Sequence, residues 1–172
     1  MAKTIFLTIL ILLLCSFDAN NDNAPCVSCV YLQEVGVKEL TGKNDRARVE
    51  EYQRATGNKR GDSYCASFVV WCFKQVGITT TITAWSPTAE NRKNLVYSGG
   101  EFIKEPREAD VFTIYSQSKK RICHTGFFHK RINDAIYESV EANTNDNGSS
   151  NGDGVYKRKR SFRGTHSISR WF

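Results

Sequence analysis

The first half of the chain carries short apolar stripes at helical spacing, separated by polar turns. Apolar residues between positions 30 and 40 fall loosely on one helical face, and the polar residues 41–44 interrupt it. Asp45 is a suitable N-cap for a second short helix that ends near Ala55. These patterns predict two short helices at the start of the folded domain.

The third apolar stripe is the most regular in the chain. Its members repeat at the i, i+3, i+4, i+7 spacing of a buried helix face. They are Cys65, Phe68, Val69, Cys72 and Val76. Asp62 or Ser63 is expected to cap this helix at its N-terminus, and Gly77 is expected to end it.

The second half of the chain changes to extended patterns. Residues 79–81 are β-prone, Ser86 is expected to start a short helix that includes residues 90–95, and residues 97–100 form a predicted turn. Runs of β-branched and aromatic residues then predict strands at residues 110–115, 122–131, 135–143 and 154–161. Helices followed by a meander of strands predict an α+β fold, with N-terminal helices packed on an antiparallel β-sheet.

Residues 1–24 are expected to be an export signal rather than part of the fold. Lys3 precedes an apolar run at residues 5–14 that is too short to span a membrane. The remaining residues 25–172 have the length of one domain, and no internal repeat suggests a second. The sequence therefore predicts an exported protein, either periplasmic or extracellular.

Two processing routes are consistent with this signal. Cleavage after Ala19 or Ala24 would release a soluble protein. Residues 12–16 also resemble a bacterial lipoprotein box, in which Cys15 becomes the lipidated end of an outer-membrane lipoprotein. Leu14 is bulkier than the small residue usual before such a cysteine, which favours the soluble form. If the protein attaches to a membrane, we expect lipidation at Cys15 to be the only means.

The chain is basic, which suits an anionic binding partner. Its formal net charge is +6 and rises to about +7 when residues 1–24 are removed. A basic exported protein fits wall glycans or lipid surfaces. Nucleic acid is not expected as a partner, because export makes that contact the weaker interpretation.

The cysteine count agrees with export. Without Cys15 the chain holds an odd number of cysteines, which suggests a free and reactive thiol in an oxidising compartment. Cys26 and Cys29 form a C-x-x-C pair, for which a structural disulfide is favoured and a redox pair is the alternative. A zinc site is not favoured because a second pair of ligands is missing.

Cys65 stands where a helix start would activate a thiol. Free N–H groups and the macrodipole at a helix N-terminus favour negative charge, which lowers the pKa of a thiol. The same N–H groups can hold the oxyanion that forms when sulfur attacks an amide carbonyl. The spacing of Cys65 with Phe68 and Val69 is equally consistent with an inert core cysteine.

His124 is the candidate general base. Strand alternation places His124, Gly126 and Phe128 on one face and His129 on the other. If the first face packs against the Cys65 helix, His124 points at the thiol and Gly126 leaves room for it. A single strand histidine is more commonly structural, so the assignment depends on that packing.

Glu141 and Asn143 leave the neighbouring predicted strand on the same side. An imidazole that acts as a base needs an acceptor at its second nitrogen, and a carboxylate also stabilises the imidazolium. Glu141 is therefore assigned the orienting role and Asn143 a supporting one. The alternative is a polar strand end that leads into a loop.

Four segments together resemble the CHAP-domain family of cysteine amidases and peptidases, relatives of the NlpC/P60 and papain-like enzymes. They are residues 64–71 (YCASFVVW), 108–112 (EADVF), 123–128 (CHTGFF) and 141–144 (EANT), in the order of that family. The resemblance covers most of residues 30–161. Tyr64 stands where many relatives have Trp, and Ala109 stands where Gly is usual.

The resemblance implies a papain-like fold and cleavage of peptidoglycan, either as an N-acetylmuramoyl-L-alanine amidase or as an endopeptidase. Cys65 would be the nucleophile and His124 the general base and then acid. The catalytic set that it implies is Cys65, His124, Glu141 and Asn143. It also assigns Tyr64 and Asn44 to substrate binding. No cofactor and no metal are expected.

Three other functions remain open at this level. One is a non-catalytic wall-binding protein of the same fold. Another is an antibacterial toxin with peptidoglycan as its target and a cognate inhibitor as its partner. A protein-directed cysteine protease is the third, because the chemistry of the nucleophile does not reveal what flanks the cleaved amide.

Overall fold

The computed structural model describes residues 26–145 and 152–172 of the protein. Within these two ranges, helices and one antiparallel sheet form the predicted α+β arrangement. The helices are α1 (Val27–Gln33), α2 (Ala47–Arg54) and α3 (Cys65–Gln75). The strands are β1 (Leu95–Ser98), β2 (Glu101–Phe102), β3 (Val111–Ser116), β4 (Arg121–Arg131), β5 (Ile136–Thr144), β6 (Gly154–Ser161) and β7 (Ser167–Ser169).

The predicted export signal at residues 1–24, with Cys15, lies outside the described residues. Across the two described ranges, none of the helices has the length and apolar character needed to cross a bilayer.

The first helix occupies a different segment from the one predicted. The pattern over residues 30–40 predicts a helix, whereas α1 ends at Gln33. Gly36 has a φ of 96°, which an α-helix does not allow, and its N–H donates to the Val155 carbonyl at 3.0 Å. The chain after Gln33 therefore turns to lie beside β6, and the predicted boundary was wrong. Helical and extended periods are hard to separate over so few apolar residues.

The predicted N-caps have other partners. The Asp45 carboxylate accepts the Thr41 N–H at 2.9 Å and closes the preceding loop, while α2 starts at Ala47 without a side-chain cap. The Asp62 carboxylate accepts the Lys59 N–H at 2.8 Å, and no side chain caps α3. Both cap predictions were wrong because short polar side chains also close tight loops.

The sheet runs in the order β2-β1-β7-β3-β4-β5-β6 in the described residues, with antiparallel pairing throughout. The strands β3 to β6 match the four predicted ones to within one residue at each end. The sequence did not predict β1, β2 or β7. Residues 79–81 form no strand, and the predicted helix at residues 86–95 is two short 3₁₀ segments that lead into β1.

Two apolar clusters lie on opposite faces of the sheet. In the helix-side cluster, the ring of Phe127 on β4 stacks on Tyr31 of α1 at 4.8 Å between centroids, and it contacts Phe68 and Phe73 of α3. Full burial of such a side chain stabilises the fold by about 1.5–3 kcal/mol. The far-side cluster comprises Val96, Tyr97, Phe112, Phe128, Tyr137, Phe162 and Ile168. Its side chains pack beneath β3, β4 and β5 on the face away from the helices.

The cysteines divide into one pair and three thiols. Cys26 and Cys29 are joined by a disulfide at the start of α1, which confirms the favoured prediction. The thiols belong to Cys65, Cys72 and Cys123. Burial raises the pKa of the Cys72 thiol, and the negative charge of Glu34 adds to that effect. Cys72 is therefore an apolar core residue without nucleophilic character.

Candidate active site

Cys65 is the first residue of α3, and its thiol is poised to ionise. The residue is 5% exposed, and its sulfur lies 3.4 Å from the Ser86 hydroxyl. Burial raises the pKa of a thiol. Hydrogen bonding and charge interaction with His124, together with the Ser86 hydroxyl and the Ala66 N–H, outweigh that effect and lower the pKa of Cys65. The sequence predicted Ser86 only as the start of a short helix and not as part of this site, because the segment that contains it has no strong local pattern.

The start of α3 is fixed by a contact from the sheet. The Asn143 side-chain oxygen accepts the Tyr64 N–H at 3.0 Å, immediately before Cys65. Asn143 adopts a φ of 57° at an irregularity in the pairing of β5 with β6. A bulge of this kind redirects a side chain, which here lets Asn143 reach the helix end. The first N–H groups of α3 other than that of Ala66, including that of Cys65, have no intrahelical acceptors and can hold a developing oxyanion.

His124 is held between Glu141 and Cys65. Its Nε2 lies 2.8 Å from the Glu141 carboxylate in a buried contact. Nδ1 is buried with no partner of good hydrogen-bond geometry among the described residues, and the His124 side chain interacts with the Cys65 thiol. We assign Nδ1 to the side of the thiol because Nε2 is occupied. Burial lowers the pKa of His124, but Cys65 and Glu141 outweigh it and raise that pKa to about 9.

The structure corrects the predicted packing of the His124 strand. His124, Gly126 and Phe128 do share a face, but it is the face of the far-side cluster. Phe127, on the other face, packs against α3. The prediction was wrong because alternation assigns faces along one strand, whereas it does not locate a helix end relative to the strand. The imidazole nevertheless reaches Cys65 beside a bulge, where β3 pairing skips Cys123.

Glu141 is a fully buried carboxylate with three neighbours that satisfy its oxygens. Arg160 donates to both of them, Nε to Oε1 at 2.7 Å and a terminal nitrogen to Oε2 at 2.5 Å. The Ser139 hydroxyl donates to Oε1 and His124 meets Oε2. Burial raises the pKa of a carboxyl group, but the bonds from Arg160 and His124 prevail and lower the pKa of Glu141 to about 2. Glu141 is therefore an anion that can stabilise an imidazolium.

Gly126 allows this carboxylate to approach the histidine. A Cβ atom at position 126 would lie 2.8 Å from the Val140 carbonyl oxygen, 2.9 Å from a Phe112 ring carbon and 3.0 Å from Glu141 Cγ. The first two separations are shorter than real Cβ contacts, and the third is so tight that the Glu141 side chain would have to shift. The absence of a side chain thus lets Glu141 and Phe112 pack across β4. The sequence analysis had expected Gly126 to leave room only beside His124.

Cys65 opens into a groove of about 350 Å³. The segment Ala84–Ser86 lines one part of it, and the β3–β4 turn with the start of β4 lines another. The lining residues are Ser63, Cys65, Ala84, Trp85, Ser86, Lys119, Arg121 and Cys123. Trp85 is 58% exposed. The thiol is thus buried on the protein side and open to a ligand on the other.

Tyr64 and Asn44 do not line this groove. Tyr64 is fully buried, and its hydroxyl donates to the Glu39 carboxylate at 3.0 Å. The predicted substrate contact of Tyr64 is therefore replaced by a structural role, because its ring packs near Tyr52 in the core. Asn44 accepts a hydrogen bond from the Asn143 amide at 3.3 Å and donates one to the Gly61 carbonyl at 3.0 Å. Its side chain therefore links the end of β5 to the loop that precedes α3.

The structure thus brings Cys65, His124 and Glu141 into one chain of contacts, and Asn143 supports the helix on which Cys65 lies. Arg160 and Ser139 join that chain without having been predicted. Across the described ranges, no cluster of three or more His, Cys, Asp or Glu side chains is arranged to hold a metal ion.

Comparison with known proteins adds no assignment. No family model matches the chain, no curated protein resembles it significantly, and no solved structure has a significantly similar fold.

Proposed function

We propose that the protein is an exported cysteine hydrolase that cleaves amide bonds in peptidoglycan. The observation that carries the proposal is the buried chain from Cys65 through His124 to Glu141. A lowered thiol pKa next to a histidine with a raised pKa favours a thiolate–imidazolium pair. Such a pair is the activated form of a cysteine nucleophile.

The chemistry is a two-step acyl transfer. The Cys65 thiolate attacks the amide carbonyl, and the oxyanion is held by the first N–H groups of α3. The C–N bond breaks as the His124 imidazolium gives its proton to the leaving amine. Water then attacks the thioester, and the now neutral imidazole takes its proton. The C–S bond breaks, which releases the carboxylic acid product and regenerates the thiolate–imidazolium pair. Glu141 holds the imidazole and stabilises its charged form throughout.

The substrate assignment has two supports. The four sequence segments that resemble CHAP-domain hydrolases include those that contain Cys65, His124 and Glu141. The basic chain and its apolar N-terminal run suit an enzyme that is exported to an anionic wall. We place the enzyme in the periplasm or outside the cell, with peptidoglycan as its partner. The bond of peptidoglycan that is cleaved decides whether the enzyme is an amidase or an endopeptidase.

The test is the release of soluble fragments from purified peptidoglycan, followed by mass spectrometry of the products. We expect the unmodified protein to release fragments and Cys65→Ala to release none. Cys72→Ala is the matched control, because it removes a thiol from the same helix that has no access to the groove. Circular dichroism establishes that each variant is folded. Equal release by the Cys65→Ala variant would refute the mechanism, and no release by the unmodified protein would refute the substrate.

A further inference from the structure

The groove beside Cys65 has two cations on one wall. Lys119 lies in the β3–β4 turn and Arg121 begins β4, and both line the groove. No Asp or Glu lines it. Among the described residues, neither cation forms an ion pair with a carboxylate, although several other arginines of the chain do so. Lys119 and Arg121 could therefore pair with an anionic group of a ligand in the groove.

Local hydrogen bonds hold the backbone of Lys119 and the guanidinium of Arg121. Lys119 donates its backbone N–H to the Ser116 hydroxyl at 3.2 Å, which closes the turn. The Arg121 guanidinium bonds the Ile122 carbonyl at 3.0 Å and is half-buried. That bond uses one nitrogen of the guanidinium, so other N–H groups remain to donate to a ligand in the groove. A guanidinium and an ammonium that line the same groove can together complement the oxygens of a carboxylate.

The opposite wall is aromatic. Trp85 is held by backbone contacts, since its N–H donates to Thr83 at 3.2 Å and its carbonyl accepts from Thr88 at 2.7 Å. The hydroxyl of its neighbour Ser86 lies 3.4 Å from the Cys65 sulfur, and Trp85 lines the same groove. An exposed indole that lines the same groove as the nucleophile offers a surface for the apolar part of a substrate.

We propose that this groove selects substrates that carry a free carboxylate near the scissile amide, bound by Lys119 and Arg121, with Trp85 contacting the apolar part of the substrate. The proposal rests on the proposed function for the identity of the scissile bond. The binding preference itself is measurable without turnover. A stem peptide in which that carboxylate is converted to a carboxamide would be a poor ligand, because the amide lacks the charge that the two cations complement.

The experiment uses the Cys65→Ala variant as an inactive binding protein. Its probes are two soluble muropeptides that differ only in the glutamyl α-group, which is a free carboxylate in one and a carboxamide in the other. Dissociation constants are measured by isothermal titration calorimetry. We expect the carboxylate form to bind more tightly, and Lys119→Gln or Arg121→Gln to weaken that form about tenfold or more while leaving the amidated form unchanged.

Three further variants define the result. Lys120→Gln is the matched control, because Lys120 is adjacent in the same turn but does not line the groove. Arg121→Lys keeps the charge and should lose less affinity than Arg121→Gln. Trp85→Ala should weaken both muropeptides alike. The proposal is overturned if both muropeptides bind equally, if neither binds, or if Lys120→Gln weakens binding as much as Lys119→Gln.

The outcome is separable from that of the proposed function. Fragment release by the unmodified protein without any carboxylate preference would sustain the hydrolase and overturn the selectivity. A carboxylate preference that depends on Lys119 and Arg121, in a protein that releases no fragments, would support the selectivity and overturn the hydrolase.

Discussion

Two nitrogens of Arg160 donate hydrogen bonds to the Glu141 carboxylate, and these bonds hold the carboxylate that orients His124. The Arg160 side chain is 19% exposed while that of Glu141 is fully buried, so the ion pair closes one end of the buried chain of contacts. Arg160 touches neither Cys65 nor the groove. It acts through Glu141, as a positioning residue.

Replacing Arg160 should therefore damage both stability and catalysis. Arg160→Gln leaves Glu141 buried without its strongest donor, and removing one partner of a buried pair costs roughly 3 kcal/mol. Urea unfolding measures that loss. The Cys65 alkylation rate measures the second effect, because a displaced Glu141 no longer supports the imidazolium that lowers the thiol pKa.

Arg158→Gln is the control for Arg160. Arg158 lies on the same face of β6, but one of its terminal nitrogens is buried without a hydrogen-bond partner among the described residues. Its loss should change the free energy of unfolding by less than about 1 kcal/mol and leave alkylation unchanged. Comparable effects at the two arginines would show that general charge, rather than the contact with Glu141, is responsible.

Neutralising Glu141 should shift the ionisation of the catalytic pair. The carboxylate is one of the groups that raise the pKa of His124, and the imidazolium in turn lowers the pKa of Cys65. In Glu141→Gln the thiol should thus ionise at higher pH. Iodoacetamide modification of Cys65 near pH 6, followed by peptide mass mapping, should slow by about tenfold.

Glu138→Gln serves as the comparison for Glu141→Gln. Glu138 is on β5 but faces His129, Lys130 and Lys157 instead of His124. Its replacement should leave the alkylation profile of Cys65 where it was. A profile that Glu141→Gln does not move would mean that the carboxylate has no part in activating the thiol.

Stability should pass through a maximum at mildly acidic pH. Folding lowers the pKa of Glu141 from 4.5 to about 2, so its contribution is complete above about pH 4.5 and is lost as pH falls toward 2. Folding raises the pKa of His124 from 6.5 to about 9, so its contribution is complete below about pH 6.5 and is lost as pH rises through 9. Both contributions are complete only between about pH 4.5 and about pH 6.5.

Urea unfolding from about pH 3 to about pH 10 checks this dependence, and His124→Gln provides the reference. The difference in unfolding free energy between the two proteins should shrink above pH 6.5. A difference that grows instead as the solution becomes alkaline would reverse the assigned sign and remove the case for a raised His124 pKa.

Local patterns in the sequence were enough to place Cys65 at a helix start and His124 and Glu141 on neighbouring strands. Those features depend on spacing over a few residues. Arg160 is different, because the β5–β6 register sets it opposite Tyr137, four positions from Glu141. Only the length of the two side chains and their shared face bring them together, and no local pairing rule would have joined them.

The short strands illustrate the same limit. The three residues of β7 carry two serines, and they lie between β1 and β3 only because the chain end returns to the middle of the sheet. Burial of such polar residues is compensated by partners that are distant in sequence, such as the Thr113 hydroxyl, 2.7 Å from that of Ser167. Sequence periodicity contains no signal for that contact.

A side chain at position 126 should separate Glu141 from His124. The Cβ of Gly126→Ala would press on the Glu141 side chain, the Phe112 ring and the Val140 carbonyl. Overpacking of this kind costs about 1–3 kcal/mol, which urea unfolding would register, and the displaced carboxylate should also slow Cys65 alkylation. Gly99→Ala, at an exposed turn with open space, should carry only the strain of its positive φ and leave alkylation unaltered. Wild-type alkylation in Gly126→Ala would show that Glu141 tolerates the shift.

The asparagine at the end of β5 gives the sharpest test of how the nucleophile is positioned. Asn143→Gly keeps a residue that tolerates the φ of 57° but removes the oxygen that accepts the Tyr64 N–H. A buried N–H without a partner costs about 1–3 kcal/mol, so the start of α3 should loosen and the unfolding free energy should fall by that amount. Asn44→Gly removes the acceptor of the Asn143 amide, at 3.3 Å, and the donor to the Gly61 carbonyl, at 3.0 Å, but it leaves the Tyr64 N–H paired, so the first turn of α3 should stay protected from exchange. Hydrogen exchange should quicken in the first turn of α3 in Asn143→Gly and remain slow toward its end, near Gln75. If exchange instead quickens uniformly along α3, Asn143 stabilises the whole fold and does not specifically hold Cys65 in place.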